Sequence, residues 1–360
     1  MNERVGIILT PWWNSRDFHP HQRRLRQWID TFESCGLFTV IIGLGEKKFR
    51  KSYSSGELLI ERHPRLLSNQ TPMLGPKTLR NSYLSRVLAE LVQNTINSYN
   101  PRIILFTNPY LISIVGDKYP KDRTIVDVMD VIVRESCNFR EKSVFSGLLT
   151  DRNIAVLSER EYSLLENHDL NTKRTHVVEP ALRQITELYS PERSYVSLWG
   201  RASRVGMREI CWFARNVSRL MLARGLLLPI IVVGGISQGL RSTSSFLVAG
   251  PQTDLRSTLH RGICILPPPI SISGMSFRIL DALEALSPIV AHPSVLRGYS
   301  LEPMKMYLPA NTSNEFVDAI EWLHNNPGPA NTIAQNAEGY ARSRLQGTKH
   351  AQNLVMEVVS

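Results

Sequence analysis

Cys264-Ile-Leu-Pro-Pro-Pro-Ile-Ser-Ile-Ser-Gly-Met-Ser-Phe-Arg-Ile-Leu-Asp-Ala-Leu-Glu-Ala-Leu-Ser-Pro-Ile-Val-Ala-His292 decides how the chain is read. An apolar strand, Ile263–Leu266, runs into three prolines, which cannot continue a paired central strand. A small-residue turn follows, Ser271-Ile272-Ser273-Gly274. The spacing then predicts a helix over about Met275–Leu286, with Met275, Ile279, Ala282 and Leu286 as its buried stripe. Ile289–Ala291 is the next strand. Strand, turn, helix and strand in this order make a βαβ unit, which implies parallel strands joined by a right-handed crossover.

The same rhythm runs outward in both directions. Upstream, strands are predicted at Val5–Leu9, Phe38–Ile42, Arg102–Phe106, Thr124–Val128 and Ile154–Leu157, with a weak one at Val177–Val178. Helices are predicted at about Gln22–Ser34 and Arg80–Tyr99, while Lys47–Gly75 reads as a polar, irregular excursion. The rhythm breaks near Tyr189–Arg193 and restarts. Tyr195–Trp199, Ile230–Val233 and Phe246–Ala249 are strands, Arg208–Arg224 a helix, and Glu315–Asn325 and about Thr332–Leu345 two more. The tail beyond His350 reads as a last helix, free to pack back on the first domain. The expectation is an α/β chain of two doubly wound, Rossmann-like domains, 1–190 and 191–360, facing each other across a cleft. Ligands bind such sheets outside the carboxyl ends of the strands.

Composition narrows the function classes. The chain has 360 residues, with 42 Lys+Arg against 32 Asp+Glu and a formal charge of +10. That charge suits nucleic acid, an anionic membrane surface or phosphorylated small molecules, and equally a solvated basic surface. The basic clusters His19–Arg26 and Lys47–Lys51 lack the interleaved aromatics of a single-strand platform, so nucleic acid is not expected. The longest apolar run, about Gly225–Ile236, is broken by Pro229 and falls short of the ~20 residues a spanning helix needs. Met1–Thr10 reads as a first buried strand rather than a signal peptide, which makes the cytoplasm the expected compartment. Cys35, Cys137, Cys211 and Cys264 form no paired metal spacing. Neither a complete Gly-x-Gly-x-x-Gly nor a phosphate loop with Gly-Lys-Ser/Thr occurs, and His-Glu-x-x-His and Gly-x-Ser-x-Gly are absent.

Chemistry concentrates in the quoted stretch. A helix N-terminus offers free N–H groups and a positive dipole end, which suits a phosphate. Gly274 permits close backbone approach, and Arg278, one turn on, adds a charge-assisted bond. Asp281, deeper still, accepts bonds from a ribose diol. The set fits a nucleoside diphosphate. It also fits an ordinary helix with a glycine turn and an i,i+3 ion pair on its surface.

The stretch resembles the donor-site segment of the GT-B glycosyltransferases of the group 1 retaining type. Pro267–Pro269, Gly274, Arg278, Asp281-Ala282 and Pro288-Ile289-Val290 stand in that family's order and spacing. Ser158, Ser197-Leu198-Trp199-Gly200-Arg201, Ile231-Val232-Val233-Gly234-Gly235 and Val248-Ala249-Gly250 continue the resemblance along the chain. The departures are Ser273 at the first of two acidic positions, Asp281 for Glu at the second, Leu286 for a glycine, and Glu179-Pro180 for Asn-Gly. The glycine pair after the first strand is replaced by Trp12–His21.

The resemblance implies a metal-independent sugar transfer with retention at the anomeric carbon, and no cofactor beyond a UDP- or GDP-type donor. Gly200, Arg201, Arg204, Gly234, Gly250, Ser273, Gly274, Met275, Ser276, Arg278 and Asp281 are the expected donor-binding residues. Arg278, with Arg201 or Arg204, would offset charge on the departing diphosphate. His19 and His21 follow the first strand and are placed to act as bases or phosphate contacts. Asp130, near a strand's carboxyl end, is the candidate general base should the reaction invert. The expected partners are a nucleotide sugar, a glycan or lipid-linked acceptor and an anionic membrane surface. A role in cell-surface polysaccharide or glycolipid assembly follows by analogy. The alternatives are an inert binding subunit and a sugar-nucleotide epimerase on the same fold.

Overall fold

The first strand is apolar throughout because it is covered on both sides. β1 (Val5–Thr10) has all six residues buried, as strands of a two-sided parallel sheet do. A computed structural model describes residues 4–10, 20–45, 48–62, 82–115, 119–129, 146–166, 174–183, 193–200, 204–237, 240–243, 246–268 and 275–360. The chain divides into two units, Met1–Ala181 with Gln346–Ser360, and Leu182–Leu345.

In the first unit, β2 (Phe38–Gly45), β3 (Phe49–Tyr53), β4 (Gly56–Arg62), β5 (Ile103–Phe106), β6 (Thr124–Val128), β7 (Asn153–Val156) and β8 (Thr175–Val177) join β1. Their order is β3-β4-β2-β1-β5-β6-β7-β8, parallel except where β3 meets β4. Alternate strand residues serve opposite faces. Ile7, Leu9, Val40 and Ile42 pack with Leu88 and Val92 of α2 (Ser82–Tyr99). Ile8, Ile41 and Leu105 pack with Leu25, Trp28 and Phe32 of α1 (Pro20–Ser34), and with Ala351, Leu354 and Val355 near the chain's end. Each such fully buried side chain contributes about 1.5–3 kcal/mol. Ser158 and Glu161, a Ser-x-x-Glu capping pair, open α3 (Glu159–Glu166) with Ser158 Oγ donating to Glu161 Oε2 at 2.6 Å.

The second unit holds β9 (Tyr195–Trp199), β10 (Ile230–Val233), β11 (Phe246–Gly250), β12 (Gly262–Leu266), β13 (Ile289–Ala291) and β14 (Leu308–Pro309). All pair parallel, in the order β11-β10-β9-β12-β13-β14. The chain steps from β9 outward to β10 and β11, then returns to the other side of β9 as β12. The topological switch point therefore lies between β9 and β12. On one face Val196, Leu198, Val232 and Ile265 pack with Ile210 and Phe213 of α4 (Arg204–Asn216), Met221 of α5 (Ser218–Ala223), and Phe316 and Ile320. Farther on come α6 (Leu255–His260), α7 (Phe277–Glu284), α8 (Ser313–Asn325), α9 (Pro327–Arg344) and α10 (Gly347–Val359). The last belongs to the first unit.

The doubly wound architecture is the one the strand–helix rhythm implies, and several details differ. The start of the Lys47–Gly75 excursion is not irregular: β3 and β4 form a hairpin, with β4 inside the sheet. Arg50 reaches Glu57 at 2.9 Å and Lys48 reaches Glu61 at 2.5 Å, so charges that read as loop are cross-strand pairs. The predicted helix Arg208–Arg224 is two helices divided at the buried Val217. Helix α9 starts at Pro327, not Thr332, because proline is well placed in a first turn. Leu286 lies outside α7, at φ +50°. No helix among the described residues is long and apolar enough to cross a membrane.

Candidate functional site

Three glycines close the carboxyl ends of β9, β10 and β11. Gly200, Gly234 and Gly250 have φ of +155°, +88° and +72°. The Gly234 N–H donates to the Gly250 carbonyl at 2.8 Å, and the Ile236 N–H to the Gly200 carbonyl at 3.0 Å. A Cβ on Gly234 would stand 2.6 Å from the Gly200 carbonyl oxygen, so no side chain fits there. The two strand ends are thus drawn together by bare backbone. Above Gly200, the position of a Cβ lies 3.7 Å from Arg278 Cδ. That is ordinary packing distance, so the arginine stem lies against the glycine, and it is the positive φ that favours glycine here.

Helix α7 supplies that arginine. It is buried almost all round, at Phe277, Ile279, Leu280, Ala282, Leu283 and Glu284. Arg278 and Asp281 are the two of its residues that are only half-buried. The stripe foreseen from spacing is therefore too narrow. Met275 and Ile279 are core as expected, and so is most of the remaining surface. The start of the helix is held from β13's side, where Tyr299 Oη donates to the Ser276 carbonyl at 2.8 Å. Ser276 itself makes no side-chain capping bond to the helix.

Both half-buried charged residues of α7 rest on buried partners. Arg278 Nη1 lies 2.8 Å from Glu209 Oε2, and Glu209 is buried on α4. Burial pushes the Glu209 carboxyl up, and the guanidinium pulls part of that shift back. Asp281 Oδ2 accepts the indole N–H of Trp199 at 3.2 Å. Trp199 ends β9 and is buried. The Arg278 ion pair thus runs to a neighbouring helix, where the ordinary-helix alternative had an i,i+3 pair on the surface. Neither Trp199 nor Glu209 was reachable from motif spacing. The available signals were position, since Trp199 precedes Gly200 at a strand end, and an acid among α4's apolar residues.

A structural arginine braces the helix's other end. Arg193 is buried, donates to the carbonyls of His260 and Leu286, and reaches Asn331 Oδ1 at 2.7 Å. Desolvation without a carboxylate partner brings its pKa down to about 10. His292, after β13, shares a 2.6 Å contact between Nδ1 and Ser294 Oγ, and burial lowers its imidazole pKa. Among the described residues no group of three or more His, Cys, Asp or Glu is placed to hold a metal ion.

Neither a family model nor a curated protein matches the sequence. Solved structures do match the whole chain. Sucrose-phosphate synthase from Thermosynechococcus elongatus gives a TM-score of 0.72 at 13% identity, over 98% of this chain and 98% of its own. WaaG, a glycosyltransferase involved in lipopolysaccharide biosynthesis, gives 0.67 at 12% identity, over 98% and 99%. HepE of Anabaena, in its complex with UDP-glucose, gives 0.66 at 13% identity, over 98% and 99%. The fold is GT-B.

Within this GT-B chain the expected donor residues fall into three groups. Gly200, Gly234, Gly250, Arg278 and Asp281 come together at the carboxyl ends around the switch point, with Met275 and Ser276 leading into α7. Arg204 opens α4. Arg201, Ser273 and Gly274 lie outside the described residues, as do His19 and Asp130 in the first unit. His21 sits in the first turn of α1 and is half-buried. The described acid nearest the end of β6 is Asp127, and it is structural. Arg24 Nε and Nη2 hold its carboxylate at 2.7–3.1 Å with both residues buried.

Proposed function

We propose that the chain transfers a sugar from a nucleoside diphosphate sugar to an acceptor. The observation that carries the reading is the placement of Arg278 and Asp281. They stand side by side on an otherwise buried helix, over a glycine floor at the switch point of a GT-B sheet. Switch points are where open α/β sheets take ligands. Several structural neighbours were solved with UDP or UDP-glucose, which supports a nucleotide at the equivalent place. In this reading the diphosphate lies at the Ser273–Ser276 turn, where Arg278 stabilises charge developing on the leaving group, with Arg201 or Arg204. Asp281 accepts from the ribose. His19, His21 and Asp130 of the first unit serve the acceptor, with Asp130 as base if the transfer inverts. Retention, operation without a metal, and an acceptor carried on a lipid phosphate at an anionic membrane complete the proposal. A cell-surface glycan or glycolipid is the product class that fits.

Calorimetric titration with UDP and GDP tests it. Saturable binding of one nucleotide is expected, weakened about tenfold or more in Arg278→Ala and Asp281→Ala, since a hydrogen bond to a charged group is worth about 1.5–3 kcal/mol. Binding unchanged in both variants would place the nucleotide elsewhere. Ser273, where the family's first acid would stand, favours one second reading, a GT-B binding subunit. Nucleotide binding without turnover across a panel of donor sugars would assign it.

A further inference from the structure

The Trp199–Asp281 contact joins the strand that ends at the glycine floor to the acid assigned to the ribose. We propose that Trp199 is a positioning residue for nucleotide recognition: its indole N–H fixes the Asp281 carboxylate in the orientation that receives the ribose diol. The inference rests on the donor-site reading above.

Three observations carry it. First, the bond links a buried neutral donor to a half-buried charged acceptor at 3.2 Å. A neutral indole orients a carboxylate without cancelling its charge, as an arginine in its place would. A carboxylate has about four lone-pair sites, so the indole bond occupies only part of its capacity. Second, the fold does not oblige every buried indole to find a partner. Trp28 is fully buried, and its Nε1 makes no hydrogen bond. The partner of Trp199 is one of the two accessible charges on α7. Third, Trp199 and Gly200 are consecutive and lie against the two half-buried charges of α7. The indole reaches Asp281, and Gly200 lies beside the Arg278 stem, a Cβ there standing 3.7 Å from Cδ.

The test compares the tighter-binding ribonucleotide, UDP or GDP, with its 2′-deoxy form by calorimetry. Wild type is expected to prefer the ribonucleotide about tenfold, the scale of one hydrogen bond to a charged group. Trp199→Phe keeps the ring and removes the donor. It is expected to lower that preference at least threefold while leaving the affinity for inorganic pyrophosphate unchanged. Asp281→Ala sets the floor of the preference. A preference kept in Trp199→Phe but lost in Asp281→Ala overturns the positioning role and leaves the donor site standing. Equal weakening toward both nucleotides and pyrophosphate makes Trp199 purely structural and overturns the role as well. Failure of wild type to bind UDP, GDP or ADP overturns the donor-site reading and this inference with it. Should Trp199→Phe not fold, the indole N–H resonance of Trp199 in the intact protein decides. It is expected to shift with the ribonucleotide and much less with the deoxy form, and equal shifts overturn the proposal.

Discussion

Arg278 and Glu209 show what a buried carboxyl does for an accessible cation. Glu209 is held above its ordinary value of 4.5, so the folded chain binds that proton more tightly than the unfolded one. Its contribution to stability is therefore greatest below 4.5 and is lost as pH rises through the raised folded value. Glu209→Gln removes the titration, and urea unfolding across pH 4–7 is expected to show a flatter stability profile than wild type in that window. Asp127 is the sharper case. With Arg24 and Asp127 both buried, Asp127→Asn leaves a guanidinium without its counter-charge, and a loss of about 3–5 kcal/mol is expected by urea unfolding. Arg24→Met with Asp127→Leu should recover most of it, because a well-packed apolar pair dispenses with desolvation altogether. At this scale the sequence was half legible. Arg278 and Asp281 declare themselves by spacing within one helix. Trp199, Glu209 and the Arg24–Asp127 pair depend on contacts between distant segments, Arg24 and Asp127 being 103 positions apart.

Helix α7 ends in a way that its sequence conceals. The Ser287 N–H returns to the Ala282 carbonyl at 3.1 Å and the Leu286 N–H to that of Leu283 at 3.1 Å, the paired bonds of a Schellman motif. Its left-handed position, normally glycine, is Leu286 at φ +50°. A non-glycine residue there costs about 1–2 kcal/mol of backbone energy, and a half-buried leucine returns a similar amount. Leu286→Gly is accordingly expected to shift the urea-derived stability by less than about 1 kcal/mol, where loss of a core leucine would cost several. Periodicity assigned Leu286 to the buried stripe because an apolar residue at the right interval looks the same inside a helix and just past it. The β3–β4 hairpin escaped for the opposite reason. Its edge strand carries Arg50 and Lys51, with Lys48 just before it, a pattern that protects an edge and reads as a loop. The long apolar strands β1, β5, β9, β10 and β12 were legible, since burial on both faces leaves little else for their residues to do.

Across the whole molecule, the last helix ties the chain to its beginning. Gly347 opens α10 so close to the first unit that a Cβ there would stand 1.7 Å from the Glu179 carbonyl oxygen. The same oxygen accepts from Gln27 Nε2 at 2.9 Å and Arg24 Nη1 at 3.2 Å. The Glu179 carboxylate meets His350 Nδ1 at 2.6 Å. Gly347→Ala must push this junction apart, and a loss of about 1–3 kcal/mol on urea unfolding is expected. A fragment covering residues 1–181 would leave Leu25, Trp28 and Phe32 without Ala351, Leu354 and Val355, whereas residues 182–345 form one uninterrupted unit. The second fragment is expected to unfold cooperatively on its own, and the first only when a peptide of residues 346–360 is added, as followed by circular dichroism.

That arrangement reverses the usual order of events on the ribosome. Domains generally complete themselves as they emerge, amino-terminal first. Here the amino-terminal unit is encoded in two pieces with the other unit inserted between them. Its sheet can gather early, yet the face of α1 awaiting α10 stays uncovered until residues 346–360 have left the exit tunnel. The inserted unit can be finished before its host. The nascent chain therefore carries an open apolar seam until that segment emerges and closes it.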